Sequence, residues 1–316
     1  MNYDFTSLIK NVSKDNLCLN YLDHEASYSQ GKEKFILKGV KNIEIYYNPS
    51  SSEISLNANF PYFIQGHNFA FSSKKMKEAI QYTSELLNIN LFSSLVKSFE
   101  FGSIIELNFP IDEFLFNHIS LKGKAIQPYL TQNKLTGKYF KDGIMVHKLY
   151  NAGANIKNKL SSTIREDLSN NYGYDKAKNY LKIENHYMKP DVHFKKRNLH
   201  LNEVLSNSFM NECKEDLITT YKSIMKTGII KLPEDKKDLN AGTIPLIILK
   251  ELETLFHFNA EELIFMKLKS IPEEILNKND KKARKAILSS NFDKINNNDN
   301  FSNYDITSKL ESTKIN

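Results

Sequence analysis

Tyr150 stands at the end of a run, residues 144–150, in which Ile144, Val146, Lys148 and Tyr150 fall on one side by the two-residue period of a β-strand. Asn151, Ala152 and Gly153 then break the extended pattern, and residues 154–161 read as a short helix carrying Lys157 and Lys159. A phenol beside ammonium groups has its phenolate favoured, and the same charges would hold a phosphate in front of it. The chemistry this suits is nucleophilic attack by Tyr150 on a phosphodiester, with Lys148 and Lys157 assisting. The same residues also satisfy a packing role, a sheet tyrosine with a hydrogen-bonded hydroxyl.

Carboxylates recur on the polar sides of two further strand-like runs. In residues 97–109, Phe99, Phe101, Ile105, Leu107 and Phe109 share one side, while Glu100, Glu106 and Asn108 share the other with Ile104. In residues 180–188, Lys182, Glu184 and His186 lie opposite Leu181, Ile183 and Tyr187. Burying an unpaired carboxylate is costly, so these acids require a cation or a solvated face. If the two strands are neighbours, Glu106 and Glu184 can meet one Mg²⁺ or Mn²⁺, with His186 completing the set, because hard cations take oxygen ligands. A solvent-exposed antiparallel sheet face accounts for the acids equally well. His67, between Gly66 and Asn68, suits a phosphate contact, a metal ligand or a locally hydrogen-bonded turn. Lys195, Lys196 and Arg197 form a short basic run suited to DNA phosphates, as does Lys159; either feature is also ordinary surface.

The elements that must position these groups follow from pattern. Residues 42–48 and 53–59 form a hairpin around Pro49, with Ile43, Ile45, Tyr47, Ile54 and Leu56 on a buried face. The aromatic segment 60–71 leads to Ser72 or Ser73, which caps a helix over residues 74–87 whose Met76, Ile80 and Leu87 cover that sheet. Asp142 and Gly143 turn a second hairpin into the Tyr150 strand. Residues 1–30 show little periodicity, residues 122–136 and 167–179 read as polar connections, and residues 111–121 as a helix. After Leu199 the pattern becomes helical, over 201–209, 212–225, 244–258, 260–268 and 279–287, with Pro233 and Asn240 dividing the segments.

The 316 residues carry 41% hydrophobic content, enough for one large core or two modest ones, and a net charge of +6 with pI about 8.9 tilts the partners toward polyanions. Cys18 and Cys213 are the only cysteines, which argues against a disulfide framework or thiolate zinc site and toward a cytoplasmic setting. No signal-peptide pattern opens the chain and no apolar run reaches bilayer length, so no membrane partner is expected. No Gly-x-x-x-x-Gly-Lys-Ser/Thr loop is present, which argues against a helicase motor.

Three blocks in order resemble the gene II-type replication initiators of filamentous phages and related rolling-circle initiators of phages and plasmids. These are Phe63-Ile64-Gln65-Gly66-His67-Asn68-Phe69 followed by a helix, Ile105-Glu106-Leu107-Asn108-Phe109 followed by the Tyr150 segment, and Leu181-Lys182-Ile183-Glu184-Asn185-His186 continuing to Leu205. The resemblance covers roughly residues 40–225. It departs from many rolling-circle enzymes in lacking a His-apolar-His pair and in having Asn151-Ala152 after the tyrosine, where Asp-Lys is common. What it implies is sequence-specific, metal-dependent nicking and rejoining of origin DNA through a 5′-phosphotyrosine on Tyr150, with host helicase and polymerase as partners.

The expected architecture is therefore an α+β nicking domain over residues 1–198, an antiparallel sheet with helices against one face and initiator-nuclease-like. A helical region over 199–290 serves DNA binding or packing, and residues 291–316, poor in apolar side chains, form a disordered tail. The alternatives are a non-catalytic origin-binding protein or repressor, and a metal nuclease that uses water.

Overall fold

The two-residue alternation seen in the sequence builds one large antiparallel sheet. The computed structural model describes residues 1–18, 22–29, 32–37, 42–125, 127–131, 134–226, 229–230, 242–256, 259–296, 301–302 and 304–315. Its strands are β1 (Asn2–Asn11), β2 (Leu22–Ser29), β3 (Lys32–Leu37), β4 (Ile43–Asn48), β5 (Glu53–Asn59), β6 (Leu95–Leu107), β7 (His118–Leu121), β8 (Lys124–Ala125), β9 (Gln127–Thr131), β10 (Lys134–Asp142), β11 (Met145–Asn151) and β12 (Asn179–Tyr187). Ten of these form a single sheet in the order β2-β3-β4-β5-β1-β6-β12-β11-β10-β9. The chain is thus α+β, and β1, from a segment with little visible periodicity, lies in the middle of the sheet. A break in register between Tyr3 and Thr6, against β6, is the reason the alternation there is hidden.

Cross-strand partners share a face, so the register separates two surfaces. Phe99, Tyr187 and Met145 lie in line across β6, β12 and β11, as do Phe101, Asn185 and His147. This is the apolar face, continued by Ile43, Ile45, Tyr47, Ile54, Leu56 and Ala58, all buried. The opposite face carries Glu100 beside His186, Gly102 beside Glu184 and Lys148, and Ile104 beside Lys182 and Tyr150.

Helices form where the sequence supplies caps and an apolar stripe. They are α1 (Phe60–Gln65), α2 (Ser73–Leu87), α3 (Ile111–Asn117), α4 (Ala152–Lys159), α5 (Ser162–Asn171), α6 (Pro190–His193), α7 (Leu201–Val204) and α8 (Asn207–Lys222). Ser72 Oγ accepts from Lys75 N, capping α2, which buries Met76, Ala79, Ile80 and Leu87. The apolar face is covered by α6 and α8, whose Phe194 and Phe209 pack on Phe99.

The chain divides into two compact units, residues 1–116, 120–225 and 306–316 in one and 117–119 and 226–305 in the other. The division expected at residue 199 therefore falls after Met225, because α7 and α8 are needed to cover the sheet. The second unit contains α9 (Thr243–Phe256), α10 (Ala260–Ser270) and α11 (Lys278–Asn296), closed around Leu246, Ile247, Ala260 and Phe292. Pro233 and Asn240, expected to divide helices, lie outside the described residues. The expected disordered tail is corrected in part: α11 runs to Asn296, and α12 (Thr307–Ser312) packs into the first unit, with Ile306 and Leu310 fully buried and Lys309 Nζ donating to Glu106 O. Two well-placed apolar residues sufficed where average composition suggested none. Among the described residues no helix is long and apolar enough to cross a membrane.

Gly102 permits the close approach of β6 and β12. A Cβ there would stand 2.1 Å from the Ile183 carbonyl oxygen and 2.6 Å from Glu184 Cβ. Gly102→Ala is expected to cost about 3 kcal/mol or more, the upper range for overpacking, and urea denaturation should show a lower midpoint. An unchanged midpoint would mean the strands separate freely here.

Candidate active site

The polar face of β6, β11 and β12 gathers ionised groups at one place. Lys182 is 1% exposed and Glu184 2%, so each needs a partner of opposite charge. Lys182 Nζ donates to Asp4 Oδ2 at 3.0 Å and lies 3.6 Å from Glu184 Oε2. Lys148 Nζ donates to Glu184 Oε1 at 3.3 Å and also to Glu100 Oε1. His186 Nδ1 lies 3.1 Å from Glu100 Oε1. The Tyr150 hydroxyl donates toward Glu184 Oε2 at 3.5 Å. Asp4, Glu100 and Glu184 each offer an oxygen within 4.8 Å of the others.

Three carboxylates face two ammonium groups, and the pKa values record the imbalance. Burial, then the charge of Glu100, pushes Glu184 up to about 7. Glu100, despite its own burial, is drawn down to about 2 by hydrogen bonds from His186 and Lys148. Burial alone would lower Lys148 and Lys182, but Glu184 with Glu100, and Asp4 with Glu184, hold them above the ordinary lysine value. Tyr150 is held well above 10 by burial and by Glu184, Asp4 and Glu100. This corrects the expectation that lysines favour its phenolate: Lys148 is committed to two carboxylates, and the field at the phenol is acidic.

The cluster opens into a cavity of about 550 Å³ lined by Asp4, Tyr62, Asn68, Glu100, Tyr129, Lys148, Tyr150, Asn155, Lys159 and Glu184. The block around His67 supports it from below. Gln65 Nε2 donates to the His67 and Phe69 carbonyls, at 3.1 and 2.9 Å, and Phe69 N donates to His67 Nδ1. This holds Asn68 where its Nδ2 donates to Asp4 Oδ2 at 2.8 Å. His67 itself is 1% exposed and edge-on to Tyr172, with Nε2 3.9 Å from Asp167. The ring is used to shape the loop, the reading left open beside the phosphate contact.

The expected site residues are therefore brought together only in part. Tyr150, Lys148, Glu184 and His186 converge, and Lys159 lines the same cavity. Glu106 does not join them: it pairs in register with Tyr180, four positions from the Gly102–Glu184 pair, and forms an ion pair with Lys178 at 2.9 Å. The strands are neighbours as expected, but the register brings Glu100 to the cluster. Lys157 lies outside the Tyr150 cavity and lines an adjacent one across α4. Lys195, Lys196 and Arg197 follow Phe194, which packs on the apolar face, so they stand on the other side of the sheet from Tyr150; Lys196 pairs with Glu212 at 2.6 Å. Sequence reading missed Asp4 altogether. Its signal was the lone acid between Tyr3 and Phe5, obscured by the irregular register.

Comparison with protein-family models, with curated proteins and with solved structures finds no match to this chain.

The two carboxyl shifts act in opposite directions on stability. A folded pKa of about 7 for Glu184, against 4.5, means its contribution is fully present below 4.5 and is lost as pH rises toward 7. Glu100, at about 2, contributes above 4.5 and loses that contribution as pH falls toward 2. With chelator present, the Tm of the wild type should decline between pH 5 and 7.5, and Glu184→Gln, which balances two carboxylates with two ammoniums, should decline less. Parallel declines in both proteins would remove Glu184 as the titrating group.

Proposed function

We propose that the chain is a metal-dependent DNA nicking and rejoining enzyme that initiates rolling-circle replication with Tyr150 as nucleophile. The observation that carries the reading is the convergence, in one cavity, of the Tyr150 hydroxyl with the carboxylates of Asp4, Glu100 and Glu184. The oxygen-only donor set suits Mg²⁺ or Mn²⁺. A second feature supports the fit: among the described residues Asp4 Oδ1 is buried without a hydrogen-bond partner, and the cluster carries one more carboxylate than ammonium. A metal held by Asp4, Glu100 and Glu184 would supply Lewis-acid polarisation of the scissile phosphate.

The chain's own residues account for the rest of the chemistry. Glu184 Oε2, 3.5 Å from the Tyr150 hydroxyl, would take its proton; Oη then bonds to phosphorus as the bond to the 3′ oxygen breaks, and that oxygen receives the proton back from Glu184 and leaves as a 3′-hydroxyl. Lys159, at the cavity wall, offers a charge to the phosphate. The tyrosyl ester keeps the phosphoryl bond available for rejoining. A second reading, a non-catalytic origin-binding protein, is favoured by the surroundings of Tyr150, where burial and the carboxylates of Glu184, Asp4 and Glu100 hold the phenol protonated.

Single-stranded oligonucleotides tiling the replicon that encodes the protein, incubated with Mn²⁺ and resolved on a denaturing gel, separate the two. The wild type should form a covalent band carrying the DNA on the 3′ side of the nick, joined to the protein through its 5′ phosphate, and Tyr150→Phe, within about 1 kcal/mol of wild-type stability, should form neither band nor nick. An adduct in Tyr150→Phe would exclude this nucleophile, and nicking without an adduct would favour attack by water.

A second pair of variants tests the metal set. Glu100→Ala should lose nicking and Glu106→Ala should keep it, the reverse of what strand adjacency alone suggests.

A further inference from the structure

The helix α4 is a wall between two cavities. Asn155 and Lys159, one turn apart, line the Tyr150 cavity, while Gly153 and Lys157, also one turn apart, line a second cavity of about 670 Å³. Residues two apart on a helix point about 200° from each other, at 100° per residue, so the two pairs occupy opposite sides. The second cavity lies against α5 and the segment leading into β12, and it too begins at the end of the Tyr150 strand, with Asn151 on its rim. No role in the chemistry above uses it.

Its lining has a definite character. Four cations, Lys157, Arg165, Lys176 and Lys178, stand against one carboxylate, Glu166. Arg165 Nη1 is fixed on the Lys157 carbonyl at 2.9 Å, and Lys178 is paired with Glu106. Lys157 and Lys176 have no acidic partner among the described residues and are exposed. Tyr174 supplies an aromatic wall, its ring steadied by Tyr180 at 5.2 Å and Phe69 at 6.1 Å. Free ammonium groups beside a fixed aromatic ring are the two components of a sequence-tolerant single-strand site, one for phosphate and one for a base.

We infer that this cavity holds a nucleotide of the same single strand of DNA that reacts at Tyr150, its phosphate on Lys157 and Lys176 and its base against Tyr174. The inference rests on the nicking reading for the identity of the strand. The strand would pass over α4, about 10 Å thick with side chains, to reach it.

Binding is measured without chemistry, by fluorescence anisotropy of a labelled single-stranded oligonucleotide in EDTA, on the full chain. Lys157→Gln/Lys176→Gln should bind about tenfold more weakly, with the slope of log affinity against log salt shallower by about 0.7 for each lost phosphate contact. Tyr174→Ala should weaken binding by about tenfold, as loss of one stacked base does, without changing that slope. The charge-matched control Lys74→Gln/Lys77→Gln on α2 should bind as the wild type does. Equal losses in the control, variants within twofold of wild type, or no binding by the wild type would each overturn the proposal. If these losses appear while the wild type forms no adduct with Mn²⁺, the nicking reading falls and the single-strand site stands.

Discussion

The placement of Glu184 against Lys182 and Lys148 is the interaction on which the rest of the site depends. A carboxylate 2% exposed on a central strand is tolerable only with cations buried beside it, and Lys182 is buried as deeply. Lys182 in turn needs Asp4, which ties the first strand of the chain to the last of the sheet. Removing either ammonium would leave a carboxylate uncompensated at low dielectric. The cluster is thus a fixed structural device whose excess negative charge also makes it a receptive place for a cation.

The opposite face meets its polar demands differently. There Asn185 donates to Asp216 of α8 at 3.1 Å, Tyr187 donates to the same carboxylate at 2.8 Å, and His193 approaches it at 3.1 Å. His147, completely buried beside Asn185 at 2.6 Å, is pulled down to about 4 by burial and stays neutral. This network anchors α8 beneath the strand that carries Glu184. One face of β12 is therefore locked to a helix while its other face presents the carboxylate and Lys182. Rigidity on the covered side supports geometry on the open side.

Tyr150 shows how a neighbour's charge can invert a local expectation. Lysines at positions 148, 157 and 159 suggest an electropositive phenol, yet Lys148, which lines the cavity, is consumed by Glu100 and Glu184, Lys157 stands across α4, and Lys159 lies at the cavity wall. The result is a tyrosine held protonated by carboxylates, whose activation depends on what neutralises them.

The sequence by itself determined the faces. The two-residue period of residues 97–109, 144–150 and 180–188 placed Lys148 with Tyr150, and Lys182 with Glu184 and His186, because alternation of side chains is a property of each strand alone. The capped helix after Ser72 and the hairpins at Pro49–Ser52 and Asp142–Gly143 were legible for the same local reason. Tertiary structure decided which acids meet. Register between β6 and β12 chose Glu100 over Glu106, the pairing of β1 with β6 brought Asp4 to the same cluster, and packing of α8 on Phe99 moved the boundary between units. These are relations between segments far apart in the chain, set by total packing and charge compensation, and no local pattern encodes them.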